Sequence, residues 1–332
     1  MFRRLFILVV VIGVLGGAGL WWTLRQFDTP YRGFVEPEVF VELPPGSSTA
    51  DIAGRLSAMG VVRDPLLFRM AVRSARADRH LQAGEYRFID AASPNEIIAR
   101  LRRGDTFNHT VTFPEGLTIR EMSAIFEREG IGPAQEFLRA ASDRSLIADL
   151  DPTAKSLEGF LFPSTYSLPR TAGGAGFIRA MVKEFRRAVG TEPLPASVDS
   201  MRELITLASL VEKETGNESE RPLIAAVYLN RLKLGMALQC DPTVIYALMQ
   251  RGKWDGNIRK PDLSMDSPYN TYRYPGLPPG PIASPGKASI DAVRHPADVK
   301  YLYFVSRNDG TQVFATTLAE HNANVRKYQL KK

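Results

Sequence analysis

Cysteine is nearly absent from this 332-residue chain, in which Cys240 stands alone. One thiol cannot make an internal disulfide or a cysteine-clustered zinc site. Histidine is scarce as well: His80, His109, His295 and His321 are the full set, and none lies in a His-Glu-x-x-His spacing, so metal-dependent chemistry is not expected. No glycine-rich loop of the phosphate-cradling kind occurs, so no bound cofactor is expected. Nor is there a block of five or more consecutive basic residues, and nucleic acid is not expected as a partner. Lysine and arginine exceed the acids only modestly, 42 against 36, an excess that would suit any anionic surface or polymer and decides nothing alone.

The apolar and charged fractions, 44% and 23%, are those of a globular protein, and the length allows two or three domains. One segment departs from that average. Leu5–Leu24 (LFILVVVIGVLGGAGLWWTL) carries no charge, and a helix of twenty such residues at about 1.5 Å per residue spans a bilayer core. Trp21 and Trp22 stand at one end, where interfacial aromatics belong, and Arg3 and Arg4 precede the run. The expectation is an anchor in residues 1–25, with the N-terminus in the cytoplasm and the remainder outside. A cleaved signal peptide would have a shorter apolar region and a small-x-small cleavage site, which Trp-Trp-Thr-Leu-Arg does not offer.

After a polar, proline-marked linker over 26–38 the chain repeats itself. VELPPGSSTADIAGRLSAMGV (Val41–Val61) aligns without gaps on VTFPEGLTIREMSAIFEREGI (Val111–Ile131). Each copy runs from a short β-like stretch through a Pro-x-Gly turn into an amphipathic helix closed by glycine. Ile52, Leu56 and Met59 have the spacing of a buried stripe in the first copy. Between the copies lie Gly84–Phe88 and a helix over Pro94–Arg103. The first unit resembles a LysM module, a small fold that grips N-acetylglucosamine-containing glycans. A LysM-like module is accordingly placed at 39–106 and a catalytic domain, opening on the second half-repeat, at 107–332. A plain α/β packing unit would show the same pattern.

The region 157–286 holds the chemistry. In LEGFLFPSTYSLP (Leu157–Pro169), Phe160, Phe162 and Tyr166 are aromatics that either stack on sugar rings or plug a core. A helix is expected over Gly176–Val189 and another over Met201–Thr215, MRELITLASLVEKET. Around that second helix the apolar residues fill one arc, with Glu212 and Glu214 near its two margins. An apolar margin is the setting in which desolvation keeps a carboxyl protonated and fit to act as a general acid. Glu212 stacks over the small Ala208 and Ser209, Glu214 over Leu210 and Val211, so Glu212 has the room. Ordinary surface ion pairs are the competing reading.

The segment ASLVEKETGNESERPLIAAVYLNRLKLGMALQCDPTVIYAL (Ala208–Leu248) is similar to the signature of the YceG-like family, the endolytic murein transglycosylases. The similarity continues through Tyr269–Tyr272, Gly276–Ile282, Ser284–Gly286, Ala292–Pro296, Tyr301–Val305 and Ala319–Asn322. Cys240 departs from it, standing where a small hydroxyl residue precedes Asp-Pro-Thr. The resemblance implies that the first glutamate of Val-Glu-Lys-Glu-Thr, Glu212, is the essential residue. It implies a lytic reaction at the bond between N-acetylmuramic acid and N-acetylglucosamine with 1,6-anhydro ends, peptidoglycan strands as substrate, and membrane-bound peptidoglycan synthases as partners.

Around that acid, Asn230 and Gln239 either orient sugar hydroxyls or cap loops. Tyr269, Asn270 and Tyr272 lie in a stiff Pro/Gly-rich loop, Ser267–Gly286, suited to a cleft wall. Glu214 completes the set of candidate glycan contacts. Asp241-Pro242 reads as a helix start with Asp241 as N-cap, Ser284-Pro285 as another capped start, and Tyr301–Thr316 as a hairpin. The expected fold is α+β: a membrane helix, a LysM-like module and a mixed catalytic domain at the inner membrane, its catalytic part periplasmic. Two other classes remain open on the sequence: a non-catalytic glycan-binding scaffold, and a cytoplasmic pyridoxal-phosphate lyase, against which both the anchor and the missing phosphate loop argue.

Overall fold

Apolar periodicity separates into two kinds along the chain, and the structure follows it as a mixed α+β fold. A computed structural model describes residues 2–330. The elements run α1 (Phe2–Phe27), β1 (Val39–Leu43), α2 (Thr49–Ala58), α3 (Pro65–Ser74), β2 (Gly84–Phe88), α4 (Pro94–Arg103), β3 (Asn108–Thr112), α5 (Ile119–Arg128) and α6 (Ala134–Ala140). They continue with β4 (Thr165–Pro169), α7 (Gly173–Val189), α8 (Met201–Glu214), α9 (Arg221–Lys233), α10 (Asp241–Gln250), α11 (Lys287–Arg294), β5 (Tyr303–Ser306), β6 (Gln312–Ala315) and α12 (Leu318–Tyr328). The strands pair as β1–β2, β3–β4 and β5–β6. Two compact units result, one of residues 1–109 with 168–171, the other of 110–167 with 172–332.

Counted over the described side chains alone, no helix is long and apolar enough to cross a membrane. The apolar run Leu5–Leu24 includes Leu5, Leu8 and Val9, whose side chains lie outside the described residues.

In the first unit β1 and β2 pair antiparallel, Val41 opposite Tyr86, and present alternate residues to a core closed by α2, α3 and α4. Leu43, Leu56, Phe68, Tyr86, Phe88, Ile97 and Leu101 are almost wholly buried there. The stretch 26–38 adds Phe27 and Phe34 to this core, so it is packed rather than a free linker.

The sequence repeat is a structural one. Ser48 caps α2 and Thr118 caps α5, each through a reciprocal bond with the acid three residues on. Gly46 and Gly116 turn at φ 81° and 76°, and Gly60 and Gly130 follow the helices at 68° and 69°. Only the expected stripe needs correction. Ile52 and Leu56 are buried but Met59 is 41% exposed, because it is the C-cap, where the chain has already left helical geometry.

The second unit is organised on α8, whose residues Leu204–Val211 are all buried, with α9, α10 and α11 packed around it. Each large aliphatic chain so buried stabilises by about 2 kcal/mol. A separate aromatic cluster joins Phe113, Phe126, Phe137 and Phe177, with Phe160 against Phe185. Phe160 and Tyr166 are thus core plugs rather than exposed stacking rings. Helix α7 begins three residues before its expected start, and the hairpin forms as β5 and β6.

Candidate active site

Helix α8 is capped at its start by Ser200, which accepts from the Glu203 amide. Its buried stretch ends at Val211, and the next residue is Glu212, whose side chain keeps only 7% of its exposure. Three donors converge on that carboxyl. The Gly286 amide and the Ser289 hydroxyl donate to Oε2 at 3.0 and 2.7 Å. Arg221 Nη2 donates to Oε1 at 3.3 Å. Both lone pairs of Oε2 are therefore engaged, while Oε1 keeps one free. Oε1 is the oxygen through which this carboxyl can exchange a proton.

Arg221, itself 7% exposed, is held among acids. The same Nη2 lies 3.8 Å from Glu115, and Nη1 lies 4.0 Å from Glu218. A second carboxyl thus shares one guanidinium nitrogen with Glu212. Burial, and then the charge of Glu212, push the Glu115 pKa up. The two loops that frame the pair are pinned to each other: Gly116 N–H donates to Ser284 O and Ser284 N–H to Leu117 O, both at 2.8 Å, while Lys213 Nζ donates to Gly116 O at 3.0 Å. The absence of a side chain at Gly286 lets the Glu115 carboxylate lie against it. A Cβ there would stand 1.8 Å from a Glu115 carboxylate oxygen. Ser284, expected to cap α11, is instead fully buried in this ladder, and α11 begins at Lys287 without a side-chain cap.

The other candidates lie around this point in different capacities. Ser209, expected to leave room under Glu212, is buried and holds the Ile282 amide at 3.1 Å. Glu214 accepts from Tyr228 at 2.6 Å beside the Cys240 thiol, and burial raises all three pKa values. Asn230 gives its amide to the Val299 and Tyr301 carbonyls, and Asn270, wholly buried, gives its own to those of Leu263 and Met265. Tyr272 donates to Asp241 at 2.6 Å. The helix begins at Asp241 itself, so the expected N-cap position falls to Cys240, whose side chain makes no cap bond. Gln239 is exposed and held at φ 50°, a left-handed conformation uncommon for a non-glycine residue. His321 stacks on Tyr303.

Tyr269 belongs to a second polar group on the same unit. Its ring is 4.9 Å from that of Tyr246, whose hydroxyl donates to Glu158 Oε2 at 3.2 Å; the Ile119 amide donates to Oε1 at 3.0 Å. Desolvation outweighs these bonds and holds the Glu158 pKa up to about 7, against an ordinary 4.5. The folded chain therefore grips this proton more tightly than the unfolded one, so the stability it contributes is full below the ordinary value and is lost as pH rises through the folded one. Glu158→Gln, which keeps an acceptor for Ile119, removes that loss. Urea denaturation should show wild type losing up to about 3 kcal/mol more than the variant between pH 4.5 and 8. Parallel pH profiles would contradict this account.

Arg221, Ser289, Gly286 and Glu115 were not singled out by sequence patterning as neighbours of the acid. The one local signal was Glu-Arg-Pro at 220–222, where an arginine opens a helix, against the preference of that end for negative charge.

A family profile described as the YceG-like family matches residues 41–327. The chain is 34% identical to the endolytic murein transglycosylase of Bacillus subtilis, over 95% of its own length and 91% of that protein's. It is 30% identical to the endolytic murein transglycosylase of Streptococcus pneumoniae over 96% of its length, and spans 63% of that longer relative. The 2.6 Å crystal structure of a yceG-like protein from Listeria monocytogenes matches with a TM-score of 0.57 and 31% identity, covering 86% of this chain and 99% of that one.

Proposed function

The chain belongs to the YceG-like family, and from that premise we propose that it is a lytic murein transglycosylase in which Glu212 acts as acid and then as base. The observation that carries this reading is the seating of Glu212: nearly buried, with Oε2 saturated by Gly286 and Ser289 and one acceptor position left on Oε1 beside Arg221.

Glu212 Oε1 gives its proton to the oxygen joining C1 of N-acetylmuramic acid to N-acetylglucosamine, and that C1–O bond breaks. The glutamate then takes the proton of the muramyl C6 hydroxyl as O6 bonds to C1. The products are a 1,6-anhydro end and a free N-acetylglucosamine hydroxyl; Glu212 ends protonated and no water is consumed. Because the nucleophile is carried by the ring under attack, no second reactant has to be brought in. Arg221 balances the carboxylate in the interval between the two proton transfers. Of the sequence candidates, Tyr269 and the exposed Gln239 are assigned to the glycan, while Glu214, Asn230, Asn270 and Tyr272 shape the walls.

The first unit is assigned as a LysM-like glycan grip and residues 1–25 as a single-pass inner-membrane anchor. The anchor's support is the uncharged Leu5–Leu24 run within one continuous helix, with Phe6, Ile12, Val14, Leu15 and Leu20 each more than 60% exposed. Held there, the catalytic unit would meet nascent strands as membrane synthases extrude them and would end their elongation.

One preparation tests both parts. Membranes bearing the full chain should retain it through a carbonate wash and should convert uncrosslinked strands into anhydro-ended fragments, each one water lighter than a hydrolysis product by mass spectrometry. Reducing ends would instead favour a hydrolase in which Glu115 activates water, the reading that its shared guanidinium nitrogen supports. Release by carbonate would remove the anchor.

A further inference from the structure

The group around Glu158 encloses a cavity of about 300 Å³ that the acid at Glu212 does not use. It is lined by Tyr246, Tyr269, Pro279, Pro281 and Glu158, with Lys155 and Gln250 as exposed members of the lining. Arg202 closes one end, fixed by a bidentate pair with Asp151 at 2.7 and 2.8 Å and by the Pro279 carbonyl at 3.3 Å. These groups are ordered by one another rather than by a ligand, so the cavity is preformed. Each Glu158 oxygen has one partner and therefore one acceptor position left.

The cavity's position relative to the acid is set by one rigid element. Arg202 stands in the first turn of α8 and Glu212 in its last, about 15 Å apart along the axis. The proline-rich loop is fastened along the same helix at three points, Pro279 O to Arg202, Ile282 N–H to Ser209 and Gly286 N–H to Glu212. Separation between cavity and acid is thus fixed by a helix and a strapped loop, neither of which can shorten. An extended β-1,4-linked glycan covers such a distance in a few rings.

We propose that this cavity is a distal saccharide subsite, taking one hexosamine ring of a strand a few rings away from the bond cut at Glu212. Two features match that ligand. A pyranose offers apolar C–H faces, for which the Tyr269 ring and the prolines supply apolar lining. It also offers hydroxyl and acetamide N–H donors at its rim, for which the free acceptor positions of Glu158 are placed. With its pKa near 7, Glu158 when protonated offers a donor in place of one of those acceptor positions, so the cavity can meet a sugar oxygen as well as a sugar donor. The consequence is dependence on strand length: short oligosaccharides reach only the acid, and longer ones reach both. This rests on the glycan-cleaving reading, and it is tested by binding so that the two can fail separately.

The full-length Glu212→Gln protein, which does not consume its ligand, is titrated calorimetrically with chito-oligosaccharides from dimer to hexamer. Affinity should step up once the oligomer is long enough to span to the cavity. Tyr269→Ala in the same background should abolish the step, costing about tenfold for the hexamer and nothing for the dimer. Lys155→Trp, an exposed substitution that blocks the rim without touching the core, should do the same; it keeps the test decisive if Tyr269→Ala unfolds. Affinity that rises smoothly with length and ignores both substitutions overturns the proposal. So does a dependence on Tyr269 seen only with peptide-bearing strands, which would make the cavity a stem-peptide site. A length step without cleavage by wild type would leave the subsite standing and sink the transglycosylase reading.

Discussion

Replacing Glu212 by glutamine should lower the rate of strand cleavage about a thousandfold or more while leaving the fold intact. A positioned acid–base group contributes roughly two to four orders of magnitude, and in the proposed mechanism one group performs both proton transfers, so the loss belongs at the upper end. The fold should survive because a glutamine carbonyl in the place of Oε2 still accepts from Gly286 and Ser289. Only the contact to Arg221 turns unfavourable, donor facing donor, and Arg221 retains Glu115 and Glu218. Product release followed by mass spectrometry, alongside circular dichroism of the same sample, separates the two effects. A variant that cuts at even a tenth of the wild-type rate would remove Glu212 from the reaction.

Arg221→Met should be the most destabilising single change near the site, at about 3 kcal/mol. The guanidinium is nearly buried between carboxyls, and removing one member of a buried ion pair leaves the other charged and uncompensated. Because Glu115 and Glu212 share one nitrogen of that group, its loss also sets two like charges against each other. The remedy identifies the cause: Glu115→Gln added to Arg221→Met should recover part of the lost stability, whereas Glu115→Gln alone should cost little, its side chain being 47% exposed. Urea midpoints for the four proteins form a double-mutant cycle. Strict additivity would show that Arg221 acts through packing and not through the pair of acids.

Local signals gave the scaffold of the site and long-range contacts gave its chemistry. Helix α8 was legible because Leu204, Ile205, Leu207, Ala208, Leu210 and Val211 fall on one arc at a 100° period, although Thr206 and Ser209, off that arc, are buried as well. The Pro-x-Gly turns and the closing glycines at 60 and 130 are likewise short-range rules that both repeats obey, while the capping boxes at Ser48 and Thr118 were not read from the sequence. Failures came where a distant group competes for a side chain. Ser284 looked like an N-cap until the loop at 115–117 buried it, and Asp241, bonded to Tyr272, is the first helical residue and not the cap. Asn230 read as a loop cap ahead of a sugar contact and Asn270 as part of a cleft wall, and the carbonyls brought to them by folding make both into braces. Arg221, Ser289 and Glu115 could not be read as one site, because nothing in their spacing says that they meet.

The straps that tie the acid to its donors span long stretches of chain: 74 residues separate Glu212 from the Gly286 amide and 97 separate Lys213 from Gly116. A growing chain that has emerged only as far as α8 holds the glutamate but not the seat that makes it an acid. On the proposed mechanism competence therefore arrives late, with the last third of the polypeptide, and an incomplete molecule would leave the polymer beside it uncut.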